Sequence, residues 1–66
     1  MAFVKNRQLQ LGDKARTTRV FSNFAGHFEV GSIVTITEIG TRGYTIEDEE
    51  GNVVRECGFS GLEPLD

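Results

Sequence analysis

The stretch Phe28–Ile39 constrains the fold more than any other part of the chain. It begins with a turn at Gly31 and Ser32, after which five β-branched residues follow in succession. Because a second heavy atom on Cβ restricts χ1, such residues fit an extended strand better than a helix. Two more runs of this kind, Tyr44–Glu47 and Asn52–Cys57, are set off by compact turns that contain Gly. The sequence therefore predicts a small antiparallel all-β protein.

The length and the cysteine content limit how such a protein is stabilised. The chain has 66 residues, one Cys and one His. A domain of this size buries only about 60% of its unfolded surface. An intramolecular disulfide and a Cys/His zinc site are excluded by residue count. The single Cys, and the lack of an apolar stretch long enough for a signal peptide or a membrane span, favour a cytoplasmic protein with no membrane association.

Alternating apolar and polar residues indicate the order of the strands. The first strand is predicted over Lys14–Val20, with Ala15 and Thr17 on one face. Residues 20–30 are predicted to form an ordered loop or irregular hairpin, and Ile33–Ile39 the next strand. The two runs after it form a hairpin, in which Gly51 takes a left-handed conformation. A last edge strand covers Leu62–Leu65, and residues 1–10 form a tail or lead-in strand anchored by Phe3 and Val4.

This order resembles the SH3-like barrel over residues 11–66. Phe28–Ile36 is similar to the diverging turn of that family, and Phe59–Leu65 to its closing turn and last strand. The opening Leu11–Arg16, a Gly-Asp turn before a basic strand, is similar to bacterial and phage SH3-like or KOW-like barrels. The resemblance implies a five-stranded, partly open antiparallel barrel. Its core would contain Phe28, Val34, Ile36 and Leu62, with Cys57 buried just before the closing turn.

The chain departs from signalling SH3 domains at the residues that bind proline-rich peptides. It has no Trp, and Gly58–Gly61 contains neither Pro nor Tyr. Only Tyr44 stands close to the position of the family's tryptophan. The resemblance therefore implies the fold without that ligand. The small size and the bacterial type of opening suggest a phage or prophage accessory protein that acts on a host protein.

No pattern of residues predicts catalysis. Cys57 and His27 are the only pair that could form a nucleophile and base, but Cys57 lies among apolar neighbours and His27 in a Gly-containing loop. The acidic run Glu47–Glu50 has the spacing of an exposed hairpin tip rather than a calcium loop. The glycines are scattered at turns and form no phosphate-binding motif. We predict a non-enzymatic protein without a cofactor or metal.

The aromatic residues and the acidic turn predict a surface that binds another protein. Aromatic side chains are enriched among the residues that dominate protein interfaces. The predicted contact residues are Phe21, Phe24, Tyr44 and Phe59, joined by Asp48, Glu49 and Glu50. The alternative for Phe21 and Phe24 is that either ring folds back to cap the open end of the barrel.

The uneven distribution of charge leaves two other functions open. Residues 1–20 contain five basic residues and one acidic, whereas residues 21–66 contain two basic and nine acidic. The basic residues Lys5, Arg7, Lys14, Arg16 and Arg19 could follow a nucleic-acid backbone. The chain as a whole is acidic, however, and the favoured interpretation is that these strand residues face solvent or pair with Glu63 and Glu56 across the sheet. A third hypothesis is a weak homo-oligomer in which Phe3 and Val4 add to a neighbour's sheet edge.

Overall fold

The computed structural model describes residues 9–24 and 26–65, and all their regular structure is β. A five-stranded antiparallel sheet has the order β6-β5-β4-β1-β7, and β2 and β3 form a separate two-stranded sheet. The strands are β1 Lys14–Thr17, β2 Phe21–Ser22, β3 His27–Phe28, β4 Ile33–Ile39, β5 Tyr44–Glu47, β6 Val53–Val54 and β7 Leu62–Pro64. Over these residues no helix has the length and apolar character needed to cross a bilayer.

The core lies on the inner face of the five-stranded sheet and under the two-stranded one. Alternation along β4 buries Val34 and Ile36 and leaves Ile33 largely exposed, as the sequence predicts. Ala15 of β1 and Ile46 of β5 are fully buried beside them. The buried apolar residues are Leu9, Ala15, Phe21, Phe28, Val34, Ile36, Tyr44, Ile46 and Val54, with Cys57 and Leu62 packed against them.

Thr17 is a buried polar residue that fastens β1 to the turn before β4. Its hydroxyl donates to the carbonyl oxygen of Glu29 at 2.7 Å and accepts from the amide of Ser32 at 2.9 Å. The amide of Gly31 in turn donates to the Thr17 carbonyl at 2.8 Å, where Gly31 has a φ of 92°. The hydroxyl thus replaces the water that these backbone groups lose on burial.

A β-bulge divides β4 into two parts. The register against β5 shifts between Ile36 and Glu38, which leaves Thr37 as the extra residue. Its hydroxyl donates to the Thr45 carbonyl at 3.3 Å. Ile39, at the end of β4 beyond the bulge, is exposed.

The hairpin of β5 and β6 follows the predicted turn but has a shorter second strand. Gly51 has a φ of 90°, so the left-handed conformation predicted for it is confirmed. The predicted strand over Asn52–Cys57 is reduced to Val53–Val54. Regular pairing with β5 is interrupted at Glu56, which takes a φ of 52°. Beyond this residue the Cys57 amide donates to the Tyr44 carbonyl at 2.9 Å, and the Tyr44 amide donates to the Gly58 carbonyl at 3.1 Å.

The edge strand near the C-terminal end was predicted correctly, whereas the burial of Leu9 near the other end was not predicted. Pro64 lies on the edge strand β7, as predicted, where a missing N–H costs no ladder bond. The Leu9 side chain is only 4% exposed and belongs to the core, although residues 1–10 were predicted to be anchored by Phe3 and Val4. Phe3 and Val4 lie outside the described residues.

Candidate docking surface

The β2–β3 hairpin presents the most exposed aromatic side chain among the described residues. In its register Phe21 pairs with Phe28, and Ser22 with His27. At the turn, the amide of Asn23 donates to the Gly26 carbonyl at 2.9 Å, and the Gly26 amide donates to the Asn23 side-chain oxygen at 3.1 Å. An Asn side chain that accepts a hydrogen bond from the backbone of its own turn is common in tight turns.

The hairpin turn is held against strand β6, and Phe24 projects from it. A Cβ added to Gly26 would lie 2.5 Å from the carbonyl oxygen of Val53, so only glycine allows this close approach. The exposure of Phe24 is 110% of its reference value. A fully solvated Phe is unusual, because burying such a side chain is worth about 1.5–3 kcal/mol.

Phe21 and Tyr44 do not belong to an exposed surface. Phe21 is 3% exposed and Tyr44 is 6% exposed, so both rings are part of the core. For Phe21 the alternative of a ring that folds back is the one observed. Phe59 stacks edge-on against Tyr44 with ring centroids 5.2 Å apart, and it remains 56% exposed. The predicted set of four aromatic residues is therefore reduced to two exposed rings, Phe24 and Phe59.

Arg19 connects the hairpin to the turn between β6 and β7. Its guanidinium lies 4.1 Å from the centre of the Phe21 ring, a cation–π contact, and donates to the Cys57 carbonyl at 3.1 Å. A Cβ added to Gly61, which has a φ of 85°, would lie 2.7 Å from the Arg19 side chain. Arg19 is thus a packed side chain that fixes the base of the hairpin.

The basic side chains predicted for nucleic-acid binding do not form one continuous row of unpaired cations. Arg16 of β1 donates to the Glu63 carboxylate through Nη2 at 2.9 Å and Nε at 3.1 Å, which confirms the predicted pairing across the sheet. Lys14 donates to the Thr35 hydroxyl at 3.4 Å. Arg55 comes within 3.9 Å of Glu38. Lys5 and Arg7 lie outside the described residues.

The acidic turn contains one structural carboxylate and two exposed ones. Asp48 accepts hydrogen bonds from the amides of Glu50 and Asn52 and from the Asn52 side chain, each at 2.9 Å. These bonds, that of the Asn52 side chain foremost, lower the pKa of the Asp48 carboxyl against a smaller desolvation effect. Glu49 and Glu50 are exposed. Asp48 therefore shapes the turn, and the other two residues are accessible to a partner.

The candidate nucleophile, Cys57, and the candidate base, His27, have different surroundings. His27 and Glu29 are 2.7 Å apart on the exposed side of the hairpin. The half-buried Cys57 has a thiol whose pKa is raised by burial. Across residues 9–24 and 26–65, no group of three or more metal-ligating side chains comes together.

Two features of this region were not found from the sequence. Glu56 is the single described non-glycine residue with a positive φ, and it lines grooves on two sides of the chain. No local pattern marks it, because Glu has no preference for that conformation. The burial of Leu9 is indicated in the sequence only by its being an apolar residue within a polar segment.

Comparisons with protein-family models, curated proteins and solved structures found no match for this chain.

Proposed function

We propose that this chain is a non-enzymatic protein-binding module of SH3-like, partly open barrel type, which docks through the Phe24 side chain. The observation that carries the proposal is the full exposure of Phe24 on a hairpin turn that packs against β6.

The strand order supports the proposed architecture. In the five-stranded sheet the last strand, β7, lies beside the first, β1, and the strands after the predicted diverging turn follow in sequence order. The β2–β3 hairpin occupies the long connection between β1 and β4, where the sequence predicts an ordered loop or irregular hairpin over residues 20–30. The two outer strands, β6 and β7, are not paired with each other, as in an open barrel.

The physical case for docking is that the turn presents an apolar ring at low entropic cost. Phe24 lies in a turn closed by two hydrogen bonds and by the contact of Gly26 with Val53. Because these contacts restrain the backbone at Asn23 and Gly26, less backbone freedom is lost on binding than from an unstructured loop. Burial of the ring in a partner then contributes most of its transfer free energy to affinity. Phe59 and the carboxylates of Glu49 and Glu50 are secondary contacts in this proposal.

A nucleic-acid interface has less support. Arg16 is neutralised by Glu63, and the Arg19 guanidinium is occupied by Phe21 and the Cys57 carbonyl. Phosphate binding would have to displace these contacts, whereas docking through Phe24 displaces none.

The test is capture of partners from a bacterial lysate treated with nuclease, which follows from the resemblance to bacterial and phage barrels. Wild type, Phe24→Ala and Val30→Ala are immobilised in equal amounts after circular dichroism shows that each is folded. Val30 is a matched control, because it is an exposed apolar residue of the turn before β4.

We expect a protein that wild type and Val30→Ala retain and that Phe24→Ala loses. Equal retention by Phe24→Ala, or no protein retained by wild type, would contradict the proposal. An unfolded Phe24→Ala chain would show instead that the ring supports the core.

A further inference from the structure

A small groove lies beside the end of β4 and shares no residue with the β2–β3 hairpin. The side chains that line it are Leu11, Thr37, Glu38, Ile39, Thr45 and Glu56. Its volume is about 270 Å³. Because sites for small molecules usually have about 300–1,000 Å³, this groove has the size for one protein side chain rather than for a larger ligand. We call it the β4-end groove.

The β4-end groove offers apolar surface although several of its side chains are polar. Leu11 and Ile39 are both exposed and supply accessible apolar area. The Thr37 hydroxyl donates to the Thr45 carbonyl at 3.3 Å, and the Thr45 hydroxyl accepts from the Glu56 amide at 3.4 Å. Because these hydroxyls already have backbone partners, covering them costs little. The groove therefore suits an apolar side chain.

The chain itself carries an apolar side chain without a contact. Phe24 is fully exposed on the turn of the β2–β3 hairpin, so its ring does not occupy the groove of its own molecule. Removing such a ring from water favours association. Every copy of the chain has one such ring and one β4-end groove, so a solution of the protein contains both in equal amounts.

The charges around the ring and the groove permit their contact. Glu38 and Glu56 line the groove, and no basic residue of the described chain does. Arg55 lies 3.9 Å from Glu38, and an exposed ion pair of that length neutralises the carboxylate only in part. Residues 19–28, which contain the hairpin, include Arg19 and no carboxylate. This segment can approach the acidic groove without like-charge repulsion.

We infer that the protein associates with itself, the Phe24 ring of one copy entering the β4-end groove of the next. Ring and groove belong to different parts of the molecule, so the contact is heterologous and each assembly keeps a free ring at one end and a free groove at the other.

The size of the contact makes this association weak. One aromatic ring buries about 150–250 Å², whereas stable complexes bury about 1,200–2,000 Å² in total. The expected dissociation constant is on the order of 1 mM. The inference goes beyond the proposed function, because it names what covers Phe24 when no other protein is bound. A partner that binds Phe24 competes with it.

The experiment measures the weight-average mass of the full chain by sedimentation equilibrium at concentrations up to about 1 mM. Phe24→Ala removes the ring, and Ile39→Glu places a charge in the groove, with Leu11→Glu as a second groove variant if Ile39→Glu does not fold. Val30→Ala is the control for the first change. Ile33→Glu is the control for the second, because Ile33 is an exposed isoleucine of the same strand that does not line the groove.

An equimolar mixture of Phe24→Ala and Ile39→Glu tests the heterologous contact directly. Phe24→Ala keeps an intact groove, and Ile39→Glu keeps an intact ring. A contact between ring and groove is therefore restored in the mixture and ends at pairs, whereas a contact between two Phe24 rings is not restored.

We expect the mass of wild type and of both controls to reach about twice that of the monomer at about 1 mM. Phe24→Ala and Ile39→Glu should each stay monomeric, and their mixture should regain mass. A monomeric wild type, association that persists in either variant, or a mixture that stays monomeric would overturn the inference. Persistence in Phe24→Ala alone would show that another side chain enters the groove.

This test and the test of the proposed function fail separately. Capture of a lysate protein that depends on Phe24 would uphold the proposed function even if wild type is monomeric. Self-association without a captured protein would uphold this inference alone.

Discussion

Two phenylalanines three positions apart in one hairpin have opposite surroundings. Phe21 is buried under the Arg19 guanidinium, whereas Phe24 is fully exposed. Each has an apolar neighbour on one side and a polar neighbour on the other, and their hydropathy is identical. The difference arises because Phe21 pairs with Phe28 in the hairpin, whereas Phe24 lies in the following turn. In that turn Gly26 approaches the Val53 backbone of β6 closely. The proposed docking residue is therefore distinguished by packing rather than by residue type.

The strained backbone at Glu56 gives a prediction at the scale of one residue. A left-handed conformation costs a side-chain-bearing residue about 1–2 kcal/mol, while glycine loses about 0.5–1 kcal/mol through its greater freedom in the unfolded chain. We expect Glu56→Gly to raise the free energy of unfolding by about 0.5 kcal/mol, measured by urea denaturation. Arg55→Gly, at a neighbour without a positive φ, should lower it instead. Destabilisation by Glu56→Gly comparable to that by Arg55→Gly would contradict this account.

At the scale of elements, the junction of β1 with the turn before β4 depends on one hydroxyl. Thr17 is 1% exposed, and it serves both the Glu29 carbonyl and the Ser32 amide. The turn that precedes β4 and the strand that pairs with it are thereby joined by side-chain as well as backbone bonds. Such a contact lets a domain of this size define its register without a disulfide or metal.

Replacing Thr17 by valine tests this junction. The substitution keeps the shape of the side chain and removes one hydrogen bond from each of two backbone groups. The Glu29 carbonyl still accepts from the Ser32 hydroxyl at 2.7 Å, and the Ser32 amide still donates to the Glu29 carbonyl at 3.2 Å, so the loss is about 0.5–1.5 kcal/mol. We expect Thr17→Val to lower the free energy of unfolding by that amount in urea denaturation. Thr18→Val, at the exposed neighbour, should change it by less than about 0.5 kcal/mol. Equal effects of the two substitutions would show that the hydroxyl is dispensable.

At the scale of the whole molecule, several of the described arginines are engaged in contacts, whereas two carboxylates of the acidic turn are exposed. Arg16, Arg19 and Arg55 each contact a carboxylate, a carbonyl or an aromatic ring. Glu49 and Glu50 extend from an exposed turn. A surface of this kind repels a polyanion at long range and offers it few unoccupied cations.

We therefore expect no retention of the chain on immobilised duplex DNA or single-stranded RNA at about 0.15 M salt, an ionic strength at which the screening length is about 8 Å. Elution is followed by absorbance, with a basic protein of similar size as the positive control. Retention that decreases steeply with salt and disappears in Arg16→Glu would contradict the expectation and favour the nucleic-acid hypothesis.

The strand assignments show which parts of the fold are local properties of the sequence. The bounds predicted for β4 and β5 agree with those observed, because each is a run with period two between turn residues. The hairpin turn at Asp48–Gly51 was predicted from its Asp and Gly. β6 was predicted too long, since the bend at Glu56 depends on bonds to β5 rather than on the residues nearby.

Sequence pattern was enough to predict the class of structure, the alternation of buried and exposed positions in β1 and β4, and the left-handed Gly51. Each of these follows from interactions within a few residues or from the period of one strand. Packing places Leu9, Phe21 and Tyr44 in the core and leaves Phe24 exposed, and it gives Arg16 and Arg19 their hydrogen-bond partners. Those outcomes depend on contacts between distant segments, Gly26 with Val53 and Arg19 with Cys57, which no local pattern encodes.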